Sequence, residues 1–236
     1  MRIADMNWMQ VGDQLARDDR CVLPIGSIEQ HGYLSLATDA ILAERVACEA
    51  AAPLGVPVFP VLNYGFTPYF TGYPGTVSLG LATYLALIRD VITGIHRQGF
   101  RRIVVVNGHG GNAPAAGVLM ELMQEQPDLQ LKFHNWWNAP RTLASVKSLE
   151  PESSHASWME NLPWTRIAGV EYPTTRKAAV DSAQFHLLDP RRGRELAGDG
   201  NFGGSYVRPD GDVLRMWELG VEETREVIAG PWRQQQ

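Results

Sequence analysis

The sequence predicts an α/β fold, a mainly parallel sheet with helices on both faces. Two observations predict it. Short apolar runs alternate with longer segments of helical spacing, the order that builds a parallel sheet. The run at residues 102–107, Arg-Ile-Val-Val-Val-Asn, is apolar without alternation, as in a strand covered on both faces.

Residues 21–27 form an apolar run ending in small residues and read as a buried strand. Residues 39–54 are helical: Leu42, Val46 and Ala50 recur at every fourth position, Thr38-Asp39 supplies an N-cap, and Pro53 and Gly55 stop the helix. Residues 56–62 read as a second strand, and its two prolines suit an edge. A loop rich in Gly, Pro and aromatics spans 65–75, and a second helix spans 78–98. After the strand at 102–107, residues 114–126 predict a third helix opened by proline, and 129–136 a fourth strand. Beyond Asn138 the pattern weakens. Residues 153–160 are a candidate helix, and 174–181 and 199–212 read as loops. No repeat or dividing linker interrupts the chain, so residues 1–236 are read as one domain.

The composition is that of a globular protein: 236 residues, 44% hydrophobic and 20% charged. A net charge of −5, with no basic run beyond Arg101-Arg102 or Arg191-Arg192, argues against a nucleic-acid partner. No apolar stretch reaches membrane-spanning length, and residues 1–12 hold no signal-peptide core. Cys21 and Cys48 form no C-x-x-C pair and read as buried free thiols, which suits a reducing cytoplasm.

In open α/β sheets functional groups gather at the carboxyl ends of the strands. Glu29 and His31 follow the first strand and, two residues apart, point the same way on extended backbone. Asp39 opens the next helix, and His109 follows the strand at 102–107. Taken singly, Asp39 is a helix cap, His109 a turn residue and Glu29 half of an ion pair. Together they place two carboxylates and two imidazoles at one sheet end, a donor set for divalent metals. The glycines around His109 offer another reading, a phosphate- or nucleotide-binding module without metal catalysis. That turn has neither a P-loop lysine nor dinucleotide-fingerprint spacing.

Gly26-Ser-Ile-Glu-Gln-His-Gly32, Thr38-Asp39 and Asn107-Gly-His-Gly-Gly-Asn112 resemble the creatininase (creatinine amidohydrolase) family. Tyr73-Pro-Gly-Thr-Val-Ser78 resembles its F-P-G-T-x-S segment, and His155-Ala156 with Glu160 its H-A-G-x-x-E segment. The resemblance runs over residues 18–165. It implies a three-layer α/β/α sandwich and a hydrolase of amide or related C–N bonds acting on a small molecule. It also implies two divalent metals per subunit, zinc first and manganese or iron otherwise, and a homo-oligomer, often a hexamer. By position, Glu29 and His109 bind one metal, His31 the other, and Asp39 bridges. Creatininase itself has a glutamate two residues after the histidine matched by His109, where this chain has Gly111. Relatives with the N-G-H-G-G-N form use the later glutamate, which makes Glu160 the fifth ligand.

Three departures fall on substrate-facing loops and point away from creatinine. The spacer from His31 to Asp39 is one residue shorter than the family's, with Tyr33 in place of a Pro-His pair. Phe70 or Thr71 stands where the family has a loop histidine, and Ser157-Trp158 replaces a glycine. His155 is the candidate proton shuttle; its plainer reading is a surface histidine at a helix start. On a regular helix His155 and Glu160 do not share a face, so both reach the site only if the segment starts irregularly. Of the aromatics available for a substrate pocket (Tyr69, Phe70, Tyr73, Trp136, Trp137, Trp158 and Trp164), Trp136 is the best placed, directly after the fourth strand.

Overall fold

A computed structural model describes residues 1–233, so the last three positions of the expected 1–236 domain lie outside the described residues. Strands β1 (Arg20–Ile25), β2 (Arg102–Asn107) and β3 (Gln130–Asn135) form a parallel sheet in the order β1-β2-β3. Ile25, Asn107 and Asn135 stand in register, so the three carboxyl ends finish level. Residues 56–62 touch the free edge of β1 only by isolated parallel bridges, Val22 to Val58 and Ile25 to Leu62. Pro57 and Pro60 lack the N–H groups a continuous ladder needs, which explains the edge position and the interruption.

The helices are α1 (Trp8–Leu15), α2 (Thr38–Ala51), α3 (Leu81–Arg97), α4 (Ala115–Glu125), α5 (Pro140–Leu149), α6 (Pro190–Ala197) and α7 (Asp210–Ala229). Strand alternation sorts them into layers. Val22, Val104 and Val106 pack with Leu42 and Val46 of α2 and with Val213, Met216 and Trp217 of α7. Leu23, Ile25, Ile103 and Val105 pack on the other face with Tyr84, Ile88 and Ile92 of α3 and Leu119 and Leu122 of α4. The result is the expected α/β/α sandwich. Each such aliphatic side chain contributes about 1.5–3 kcal/mol by leaving water, and β2, buried from Ile103 to Asn107, is the centre of both cores.

Several elements differ from the sequence reading. Thr38 and Asp39 lie inside α2, whose N-cap position is Ala37 and has no side-chain cap. The Thr38 hydroxyl donates to Ser35 O (2.6 Å), and the Asp39 carboxylate turns away from the helix backbone. Residues 153–160 form no helix; they end in a single 3-10 turn, Trp158–Glu160. The segments 174–181 and 199–212 meet in a two-residue antiparallel ladder of β4 (Arg176–Lys177) and β5 (Gly204–Ser205), and Asp210 already belongs to α7. Trp136 is core: it is buried and meets Trp217 edge-on at 5.2 Å. Both cysteines are free, Cys21 buried and Cys48 partly so. Among the described residues no helix is long and apolar enough to cross a membrane.

Candidate metal centre

The first turn of α2 lies directly on the ends of β1 and β2. A Cβ at Gly26 would collide with the Ala40 backbone, and one at Gly108 with Asp39 O. These two glycines let α2 descend until Asp39 reaches the level of Glu29 and His109. The two asparagines of the N-G-H-G-G-N turn hold the third side of the site. Asn107 Nδ2 donates to His109 O (2.7 Å) and to Asn135 Oδ1 (2.8 Å), while its Oδ1 accepts from His109 N (3.1 Å). Asn112 Nδ2 donates to Gly26 O (3.0 Å). The amides thus tie together the ends of all three strands, a role the sequence reading missed although the motif contains them.

All five expected ligands meet at this sheet end, and all are buried. Asp39 is the shared member. Its Oδ1 lies 2.9 Å from His31 Nε2 and its Oδ2 lies 3.0 Å from His109 Nδ1. Glu29 Oε1 is 3.3 Å from His109 Nδ1, and Glu160 Oε2 is 3.9 Å from His31 Nε2. Three donor clusters result: Glu29–Asp39–His109 and His31–Asp39–Glu160, which share Asp39, and Glu29–His31–His155, which lacks it and includes the partly exposed His155. Ser27 Oγ donates to Asp39 Oδ2 (2.8 Å) and steadies the shared carboxylate.

The donor set fits divalent cations on three counts. Each imidazole has an outer partner on its far nitrogen: Glu29 O for His31 Nδ1 (3.2 Å) and Phe66 O for His109 Nε2 (3.1 Å). A proton held there leaves the inward nitrogen as a lone pair, as in metal-ligating histidines. Next, Glu29 Oε2 is buried without a hydrogen bond, a costly state for a polar atom unless another group satisfies it, and His31 Nε2 faces only carboxylates, Asp39 and Glu160. Finally, among the described residues the ion-pair partners of Glu29, Asp39 and Glu160 are histidines, with no lysine or arginine.

Electrostatics agree. Burial opposes a charged His31, but the Asp39 carboxylate outweighs it and raises the imidazole to about 10. His109 rises well above its usual value against the same burial, chiefly through Glu29. Burial pushes Glu160 up to about 7, offset in part by His31. Protons on the histidines thus take the place of cations, and metal binding displaces them. Protein stripped of metal is therefore expected to lose thermal stability as pH rises from about 6.5 through about 10. Both histidines have native values above their unfolded ones, so their contribution is full below the unfolded pKa and disappears as pH rises through the native one. Glu160 adds a loss of the same sign up to about pH 7. Melting temperatures of chelated protein across this window read the effect, and a flat profile contradicts it.

Backbone crowding bears on the expected fifth ligand position. A Cβ at residue 111 would collide with Phe66 O and His109 Nε2, so any side chain there requires the backbone to shift. Glu160 reaches the site because the chain reverses just before it. Ala156 adopts φ +57°, and its N–H donates to Glu160 Oε2 (2.6 Å). This irregular start brings His155 and Glu160 into one site. Gly111→Ala is expected to cost about 1–3 kcal/mol by overpacking, and to lower zinc affinity by displacing His109. Thermal unfolding with metal titration checks it; wild-type values for both contradict it.

His155 is no surface residue at a helix start. Its ring stacks on Phe70 at 5.0 Å and lies 4.4 Å from that of His31, and its Nδ1 is 3.8 Å from Glu29 Oε1. Burial, helped by the charge on His31, pushes it down to about 4. It lines a cavity of about 390 Å³ that opens over Glu29, Asp39, His109 and Glu160. Tyr69, Phe70 and Trp137 contribute aromatic wall, whereas Tyr73, Trp136, Trp158 and Trp164 lie outside it. Phe185 and Phe202 complete the wall. They come from stretches with no motif or periodicity, and nothing in the sequence pointed to them.

The model of one protein family, described as Creatininase: Creatinine amidohydrolase, matches residues 4–193. The chain belongs to the creatininase family. Among curated relatives, 3-dehydro-scyllo-inosose hydrolase of Thermotoga maritima is 34% identical over 242 residues, 94% of this chain and 77% of that one. Creatinine amidohydrolase of Pseudomonas putida is 29% identical over 164 residues, 64% of this chain and 63% of that protein, so the alignment spans under two thirds of it. The mycofactocin precursor peptide peptidase of Mycolicibacterium smegmatis is 37% identical over 110 residues, 44% of each chain. All three are hydrolases by name. Among solved structures, a creatininase superposes with TM-score 0.77 at 23% identity over 97% of this chain and 96% of the other. A Zn-Zn form of a creatininase variant superposes with TM-score 0.76 at 22% identity over 96% of each chain. The family match extends beyond the motifs, through the weakly patterned region up to α6.

Proposed function

We propose that this creatininase-family hydrolase is a dinuclear metal enzyme that cleaves an amide or related C–N bond, or opens a cyclic carbonyl compound, in a small molecule. One observation supports this above the others: the two oxygens of Asp39 face two different histidines, His31 and His109, each with its own second carboxylate. Glu29, Asp39 and His109 would hold one divalent ion and His31, Asp39 and Glu160 the other, with zinc first and manganese or iron as alternatives. Bound there, the ions supply Lewis acidity, which activates water and polarises a carbonyl.

The protein's own groups do the rest. Asn107 and Asn112 hold the His109 turn, and Ser27 fixes the rotamer of Asp39. Tyr69, Phe70, Phe185 and Phe202 form an apolar wall that excludes bulk water and orients a small substrate. His155 stands between that wall and Glu29 and is the catalytic residue placed to touch the substrate. The phosphate-binding reading finds no support here. His109 N and Asn112 N are already bonded within the turn, and three buried carboxylates repel an anion.

The relatives act, by their names, on creatinine, an inosose and a peptide. A metal-loaded activity screen over small cyclic amides, cyclic ketones, formamides and short peptides tests the proposal. Turnover that chelation abolishes supports it; no hydrolysis of any class by fully zinc-loaded protein counts against it. The proposal includes a cytoplasmic homo-oligomer, a hexamer by family resemblance, whose mass light scattering reads directly.

A further inference from the structure

Gln30, between two expected ligands, has a side chain with no place in the metal clusters. Its amide is fully committed. Oε1 accepts from Gly32 N (3.0 Å), and Nε2 donates to Gly200 O (3.2 Å). Those two contacts fix which end of the amide is nitrogen. The second Nε2 hydrogen then points at His155 Nε2, 2.8 Å away. Gly200 is shaped for this arrangement: a Cβ there would collide with the Gln30 amide, and its φ is +99°.

We infer that Gln30 fixes His155 as a neutral imidazole protonated on Nδ1, so that His155 meets substrate as a hydrogen-bond donor and not as a proton-exchanging acid or base. Two nitrogens 2.8 Å apart need one proton between them, and Gln30 supplies it. The lone pair of Nε2 is thereby occupied, and the ring proton sits on Nδ1. One contact favours the opposite tautomer, Gln30 O at 3.1 Å from Nε2. An Nε2–H there would face a Gln30 N–H head-on. Relieving that by flipping the amide would set Nε2 against the Gly32 N–H and Oε1 against Gly200 O. Three contacts thus oppose the one.

The consequence is chemical. A neutral Nδ1–H cannot accept a proton at that atom, and losing its own would leave an imidazolate. The ring keeps its proton throughout and acts as a neutral electrophile toward the carbonyl oxygen, where charge develops. Glu29 Oε1 at 3.8 Å is too far to hold that proton in a hydrogen bond. Gln30 is accordingly a positioning residue for His155. The catalytic role rests on the hydrolase proposal; the tautomer does not.

Long-range hydrogen–nitrogen correlation spectra of nitrogen-15-labelled, zinc-loaded protein test this. The chain has six histidines, and His155→Gln identifies the ring in question by its missing signals. The expected result is a protonated Nδ1 and a bare Nε2. In Gln30→Glu, whose carboxylate only accepts, Nε2 becomes protonated and kcat falls about 100-fold, the loss seen when one oxyanion donor is removed, with little change in KM. A protonated Nε2 in the wild type overturns the inference, and so does an unchanged kcat in a Gln30→Glu protein whose Nε2 has gained a proton. The wild-type spectrum decides alone if the variant does not fold. Zinc analysis of the same sample separates the two readings. Bound zinc with the wrong tautomer overturns this inference only, while absent zinc and no turnover with the expected tautomer overturn the hydrolase proposal only.

Discussion

Asp39→Ala is expected to remove both metal equivalents and all measurable hydrolysis. Among the described residues only Asp39 pairs directly with both inward histidines, one through each carboxylate oxygen, and it joins the Glu29–His109 and His31–Glu160 clusters. Outer partners of metal ligands are worth about 10–100-fold in affinity or activity. A carboxylate shared by two ions exceeds that on each side, so metal affinity falls by more than about 100-fold at both. The change also removes the main counter-charge of His31 and one of the two facing His109, which keeps Glu29, and loss of one member of a buried ion pair costs about 3–5 kcal/mol. Elemental analysis, with circular dichroism as the fold control, reads the result. A folded Asp39→Ala protein that retains two ions contradicts the bridging role.

Glu160→Gln is expected to remove one equivalent and keep the other. Glu160 belongs only to the His31 cluster, and Glu29, Asp39 and His109 stay complete without it. The glutamine oxygen still accepts the Ala156 N–H, so the loop keeps its shape. Activity falls at least about 100-fold, because a chemistry that needs both ions is left with one. Full occupancy and full activity in this variant would show that another group completes the second cluster. That outcome would reopen the question of what replaces the side chain that Gly111 lacks.

The layered fold was readable because β1 and β2 have near-continuous apolar runs, β3 alternates Leu131 and Phe133 with polar residues, and the prolines of residues 56–62 marked the edge. The region after Asn138 was not. Its two-residue strands have no period, and the single 3-10 turn at Trp158–Glu160 has the composition of a helix. Helix α7 is the instructive omission, since Val213, Met216, Trp217, Gly220, Val221, Thr224 and Ile228 are buried at helical spacing. In the site, Glu29, His31 and His109 could be placed from strand ends alone. Asp39 was ambiguous, because Thr38-Asp39 before a helix reads identically as a cap; only packing of Gly26 and Gly108 against α2 turns its carboxylate inward. The link between Gln30 and His155 depends on Gly200, which is 170 positions away from Gln30. Phe185 and Phe202 enter the cavity from irregular chain. Contacts of that kind leave no local trace.

The central claim is that this site holds two ions that the reaction needs. Protein purified without chelator is to be analysed for zinc, manganese and iron per chain, then stripped, assayed and reloaded. The expected result is two divalent equivalents, hydrolysis lost on stripping, and recovery on reloading in proportion to occupancy. A protein that stays metal-free after reloading, or one that hydrolyses its substrate equally well stripped, contradicts it.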